Sequence, residues 1–135
     1  MQELNLDTGL KEYAIGGGVL RFNPSDPNLY HRFLQTADRL EQLEQELCAT
    51  EAATGEKALE LLKEGDKKAK ALLSEAFGQQ NDFDKVTGGV NLLAVCQNGR
   101  RLVQNLLEAL APVLEQGVKG FYDEEAQKEL ARLEE

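Results

Sequence analysis

The chain has 135 residues, 41% hydrophobic and 29% charged, with a net charge of −9 at neutral pH. That length suits one domain large enough to bury its own core, and the composition is neither that of a membrane protein nor of a disordered chain. The acidic balance argues against a nucleic-acid partner, because phosphate backbones are held by cationic side chains.

The charge is unevenly spread. Residues 25–78 hold 11 acidic and 7 basic side chains and residues 121–135 hold 6 and 2, whereas residues 79–120 hold four of each and are rich in apolar residues. The neutral stretch is expected to supply core or interface, and the acidic regions solubility. Met1 to Leu10 has no basic cluster followed by an apolar run, so no secretory signal is expected. No apolar stretch approaches the roughly 18–20 residues of a bilayer span. A cytoplasmic location follows as the expectation, with Cys48 and Cys96 as buried free thiols.

Residues 1–24 read as strand. Leu4 and Leu6 alternate with polar neighbours, Asp7-Thr8-Gly9 supplies a turn, and Tyr13 and Ile15 alternate in the next run. Gly16-Gly17-Gly18 then leads into Val19-Leu20-Arg21-Phe22. A β-hairpin or a three-stranded meander fits this pattern, with the glycines serving a tight turn. Neither glycine-rich phosphate-loop spacing is present.

Asn23-Pro24-Ser25-Asp26-Pro27 changes the structure. Asp26, or alternatively Ser25, caps a helix that begins at Pro27. Its apolar stripe is Leu29, Tyr30, Phe33, Leu34, Ala37, Leu40, Leu43 and Leu47, continuing weakly through Ala49, Ala52 and Ala53. A second stripe follows Gly55, and Gly65-Asp66 reads as a stop and a new cap before Ala69, Leu72, Leu73, Ala76 and Phe77, with Gly78 as the terminator. Residues 79–91 are loop-like, with one short helical turn around Asp82–Val86.

A last long helix is expected over 99–119, preceded by a turn at Asn91–Cys96. Pro112 inside it removes the bond to the Glu108 carbonyl and predicts a kink or a restart. Gly117 and Gly120 weaken its end, and Asp123 to Glu135 can form a polar helix with Ala126, Leu130 and Leu133 on one side. The fold expected is α+β and predominantly helical: one domain over 1–135, with a strand unit at 1–24, a body of four to five helices within 25–120, and a polar tail at 121–135.

Candidate chemistry is sparse. His31 is the sole histidine, which leaves a zinc site without partners, and no motif surrounds Ser25, Ser74, Cys48 or Cys96. Asn81-Asp82-Phe83-Asp84 lacks the ligand spacing and terminal Glu of a calcium loop. The carboxylates lie on polar helix faces rather than in an acid–base pair. No catalytic, cofactor-binding or metal-binding residue is assigned, and no cofactor is expected. Helical stripes left partly uncovered would instead bind another amphipathic helix.

The run Glu12-Tyr13-Ala14-Ile15, the glycines, and Leu20-Arg21-Phe22-Asn23-Pro24-Ser25-Asp26 leading into a helix resembles small tail-module proteins of siphophages and Gram-positive prophages. Ala76-Phe77-Gly78, Gly88-Gly89-Val90-Asn91-Leu92 and Asn105-Leu106-Leu107-Glu108 extend the resemblance over roughly residues 10–120. These proteins are tail assembly chaperones encoded near the tape-measure gene. The acidic tail departs from the basic ending of many such proteins.

The resemblance implies a non-enzymatic factor that binds and solubilises the tape-measure protein in the host cytoplasm, then leaves as tube subunits add. Its partners would be the tape-measure protein or other tail proteins, or a second copy of itself, without nucleic acid or membrane. The partner-binding face is expected around Leu106, Leu110 and Val113, where Pro112 would open the helix. The competing expectations are a tail component retained in the virion and a cellular helical adaptor or chaperone.

Overall fold

The computed structural model describes residues 1–49 and 55–134. Its elements are β1 (Lys11–Ile15), β2 (Gly18–Phe22), α1 (Pro27–Ala49), α2 (Glu56–Phe77), α3 (Phe83–Val86) and α4 (Leu102–Glu134). This is the expected α+β, mostly helical fold, with one antiparallel hairpin followed by four helices.

In the hairpin, Ile15 pairs with Gly18, Tyr13 with Leu20 and Lys11 with Phe22. The two-residue loop Gly16-Gly17 has positive φ at its first position (+57°), where a side chain would be strained. Leu20 and Phe22 are buried and Tyr13 and Ile15 half-buried, so one face of the ribbon meets the helices. Gly18 is fixed by packing: a Cβ there would lie 2.3 Å from the Lys85 carbonyl oxygen.

The third strand of the meander alternative is not formed. Residues 1–10 run outside any ladder, leaving Leu4 and Leu6 90% and 81% exposed. The chain does not reverse at Asp7-Thr8-Gly9; the segment is held instead by side chains, the Gly9 N–H donating to Asp7 Oδ1 (2.8 Å) and Asn23 Nδ2 donating to the Thr8 carbonyl (2.9 Å).

Asp26 caps α1 by accepting the Asn28 N–H at 3.0 Å. Leu29, Phe33 and Leu40 of the expected stripe are buried, but Leu34 is 47% exposed and Thr36 takes a buried position beside them. The proposed extension past residue 50 and the side chain of Cys48 lie outside the described residues. Leu47 lies beside Gly65 and Arg32 beside Ala76, so α1 and α2 pack antiparallel.

No break occurs at Gly65-Asp66; α2 is continuous there. A Cβ on Gly65 would lie 2.8 Å from Leu47 Cδ1 and 3.0 Å from Leu93 Cδ1, so the glycine admits close packing instead of ending the helix. Asp66 is an anchor rather than a cap, accepting the Leu92 N–H (2.8 Å) and the Lys70 ammonium (2.9 Å). Gly78, with φ +108°, terminates α2 as expected.

α4 also runs further than expected. It passes unbroken through Pro112, whose ring is on the solvent side, so there is no restart. Gly117 lets α4 approach the 23–25 turn so closely that a Cβ would fall 2.0 Å from the Pro24 carbonyl oxygen. The tail continues α4 to Glu134; the side chains of Ala126, Leu130 and Leu133 there fall outside the description.

The core centres on Phe77. Its ring centroid lies 5.2 Å from Phe22, 5.6 Å from Phe83 and 6.2 Å from Phe33, while Tyr13 stacks on Phe22 at 4.7 Å. Leu73, Leu92 and Leu114 are fully buried around this cluster.

Asn81, only 3% exposed, ties the hairpin to the helices. Arg21 and Glu12 face each other at a position of the ladder without backbone hydrogen bonds, so the Arg21 N–H and C=O point away from β1. The Asn81 amide meets both: Oδ1 accepts the N–H at 2.9 Å and Nδ2 donates to the C=O at 2.8 Å. Nδ2 also donates to the Phe77 carbonyl at 3.0 Å, and Ser74 Oγ donates to the Asn81 carbonyl at 2.9 Å.

Replacing Asn81 by Ala removes three bonds and leaves Arg21 and Phe77 groups unpaired. It is expected to cost about 2–3 kcal/mol in chemical denaturation. Asn81→Asp is expected to be at least as costly, since a carboxylate cannot donate to the two carbonyls.

Candidate functional site

The hairpin tip, the loop after α3 and the first turns of α4 enclose an open groove of about 550 Å³. Its apolar walls include Ile15, Val90, Val95, Leu102, Leu106 and Ala109. Val90 and Val95 are 48% and 68% exposed, so the groove is accessible. Gly16, Gly17 and Gly88 contribute bare backbone to its rim.

No charged side chain lines the groove, and its Thr87 and Asn105 side chains are paired with neighbouring groups outside the lining. Thr87 Oγ1 donates to the Phe83 carbonyl at 2.9 Å, and Asn105 exchanges hydrogen bonds with Asn98 at 2.9 and 3.3 Å. Cys96, a free and half-buried thiol rather than the buried one expected, completes one side. The arrangement therefore offers contact to carbon and little to a polar ligand.

The wall formed by residues 87–101 is held as a small irregular hairpin. The Cys96 N–H donates to the Arg100 carbonyl (2.7 Å) and the Leu102 N–H to the Ala94 carbonyl (2.9 Å). Arg101 Nη1 donates to the Leu93 carbonyl at 2.9 Å. Leu92 and Leu93 are buried beneath, which leaves Val90 and Val95 outward.

Asp66 ties this wall to α2 by accepting the Leu92 N–H at 2.8 Å, and α3 is tied to α2 by charge. The Lys70 ammonium, on a side chain only 10% exposed, lies 2.9 Å from Asp66 Oδ2 and 2.7 Å from Asp84 Oδ1. Burial acts to lower the Lys70 pKa, but the hydrogen bonds it donates to Asp84 and Asp66, together with their charges, outweigh it, so it stands above the ordinary 10.5. Asp82 and Asp84 are used locally, Asp82 capping α3 by accepting the Asp84 N–H at 3.0 Å and Asp84 pairing with Lys70.

The residues expected to face a partner are placed differently. Leu106 and Leu110 are 5% and 3% exposed and belong to the core, and Val113 packs half-buried against it. Their spacing marks the inward stripe of α4, so they do not form the open face that sequence reasoning assigned. Leu106 alone reaches the groove, at its floor. Val90 and Val95 were missed because the loop between α3 and α4 has no periodicity to reveal which residues point out, and Ala109 because it lies on α4 outside the inward apolar stripe. His31 is exposed on α1, and Ser74 serves the Asn81 junction.

Among the described residues, no group of His, Cys, Asp and Glu is placed to hold a metal ion, and no helix is long and apolar enough to cross a membrane. No family model matches the chain, and comparison with curated proteins and with solved structures gives no match.

Lys70→Met strands the partly buried Asp66 carboxylate and is expected to cost about 1–3 kcal/mol near neutral pH. Asp84→Asn should cost less than about 1 kcal/mol, because the Asp84 side chain is 65% exposed. A lysine pKa raised by folding contributes stability that is complete below the unfolded value of about 10.4 and is lost as pH rises through the folded value. Denaturation midpoints followed from pH 8 to 12 should fall in that alkaline window for the native chain and show less of this fall in Lys70→Met.

Proposed function

We propose that this protein is a non-catalytic assembly factor of the tail-chaperone type, which binds and shields an apolar helical stretch of a long tape-measure protein during tail assembly. The observation that supports this reading is the accessible groove whose lining is uncharged, on a chain with a net charge of −9. An amphipathic helix binds by laying its i, i+3, i+4 apolar residues into such a groove. Because Thr87 and Asn105 are already paired, a polar occupant would gain little to offset its own desolvation.

The acidic surface has the complementary role. Glu41, Asp38 and Glu46 are exposed along α1, away from the groove, and like charge keeps partly assembled complexes apart. The resemblance of residues 10–120 to tail assembly chaperones supplies the identity of the partner.

The test is co-expression of the chain with overlapping fragments of a long helical tape-measure protein. At least one fragment should become soluble and co-purify. Val95→Asp and Ala109→Asp should lower the co-purified amount by roughly tenfold, about 1.4 kcal/mol of affinity, while leaving the unfolding transition in place. If no fragment is solubilised, or if both variants capture as much as the native chain, the reading is wrong. Stoichiometric recovery of the protein in purified particles would favour a retained tail component instead.

A further inference from the structure

We propose that β1 is a dimerisation edge. It pairs with β1 of a second copy of this chain, antiparallel about a two-fold axis at Tyr13, so that both hairpins join into one continuous sheet. This inference does not rest on the function proposed above. It starts from the two edges of the ribbon, which are treated differently. On the β2 side, Asn81 takes the outward N–H and C=O of Arg21. On the β1 side, Glu12 and Ala14 sit opposite Arg21 and Val19, at ladder positions without backbone bonds, so their own N–H and C=O groups point outward. Both residues are exposed, and among the described residues no hydrogen bond and no further strand reaches those groups. Proline and bulges, which commonly keep an open edge from pairing, are absent from β1, whose register with β2 is unbroken from Lys11 to Ile15.

One register suits this edge. With Glu12 of each copy facing Ala14 of the other, every outward N–H and C=O on both strands is bonded, and the contact is self-complementary as a two-fold interface requires. Sliding the strands in one direction sets Glu12 against Glu12. Sliding them in the other sets Glu12 against Gly16, in the turn.

Side chains agree with that register. Tyr13 falls opposite its counterpart at the close position of the ladder, on the face where it already stacks on Phe22 at 4.7 Å and where Phe22 meets Phe77 at 5.2 Å. Tyr13 is half-buried in the single chain because the aromatic row stops at the open edge, and pairing carries the row across into the second copy. On the opposite face the Glu12 carboxylates lie diagonally, each drawn toward its own Arg21 at 2.9 Å.

The segment ahead of β1 enlarges the contact. Residues 1–10 show no turn or bend, and Asn23 Nδ2 holds the Thr8 carbonyl at 2.9 Å, so the chain leaves along the line of the strand. In the two-fold register Leu10 of one copy faces Gly16 of the other. Leu4 and Leu6, 90% and 81% exposed, are carried past the second copy's hairpin tip, which rims the groove. Their burial adds apolar area to an interface that 5 strand residues alone would leave small.

Sedimentation equilibrium and amide hydrogen exchange on the full chain, native and Ala14→Pro, test the proposal. The Ala14 N–H makes no bond to β2, so proline there removes only the donor aimed at the second copy, and an edge strand accommodates it. At high micromolar concentration the native chain is expected to sediment at twice its mass, with Glu12 and Ala14 amides exchanging roughly tenfold or more slowly than in a dilute, monomeric sample. Ala14→Pro should weaken self-association by roughly tenfold or more while keeping the native helical circular dichroism. A native chain that stays monomeric over this range overturns the proposal, as does a dimer whose Glu12 and Ala14 amides exchange as fast as in the monomer. A dimer that Ala14→Pro leaves equally tight also overturns it, since the contact then lies on another surface. The exchange measurement uses the native chain and decides the matter whether or not the variant folds.

Discussion

A single side-chain amide determines how the two halves of this protein meet. A two-stranded ribbon is marginal alone, and here its outer backbone groups at Arg21 are matched by Asn81 rather than by another strand. The same amide takes the Phe77 carbonyl at the end of α2, where helix termini leave carbonyls without partners. Sheet edge and helix end are thus satisfied together. Phe77 itself sits between Phe22, Phe33 and Phe83, so the polar junction and the aromatic core occupy the same place and each orients the other.

The groove follows from that junction. Fixing the hairpin against α3 sets the position of its tip, and Gly18 allows the approach by having no side chain to meet the Lys85 carbonyl. The opposite wall depends on Asp66, which holds the Leu92 amide while sharing Lys70 with Asp84. Two elements distant in sequence are therefore brought to one cleft by interactions that lie beneath it. The cleft itself is left with hydrocarbon, bare backbone, the Cys96 thiol and the already paired Thr87 and Asn105.

The sequence patterns that report local physics were legible. Asp26-Pro27 marked the start of α1, Gly78 marked the end of α2, the glycine run marked the hairpin turn, and the 3.6-residue stripes marked the inward faces. Glycines required by tertiary contact were misread, Gly65 as a break and Gly117 as a weakened helix end. Gly65 and Gly117 lie in continuous helices because Leu47 and the Pro24 carbonyl press against them, and no local rule carries that information. The same limit explains the site. The stripe containing Leu106 and Leu110 is strongest because it is core, whereas Val90 and Val95 owe their exposure to the buried Leu92 and Leu93 beneath an irregular loop. Asn81 looked like part of a poor calcium loop, and only its distance from Arg21 in three dimensions discloses its role.

The glycines at the hairpin tip carry a consequence for how such a groove could diversify. Positive φ at Gly16 and the crowding at Gly18 restrict side chains at those two positions, whereas a Cβ at Gly17 would make only ordinary contact with the Gly88 Cα, at 3.5 Å. Gly17 therefore lies between two constrained neighbours at the rim of the groove and has room for a side chain, as the exposed positions Val90, Val95 and Ala109 do across from it. The shape of the groove can thus be altered from both walls, at one position on the hairpin tip and at several on the side that faces it.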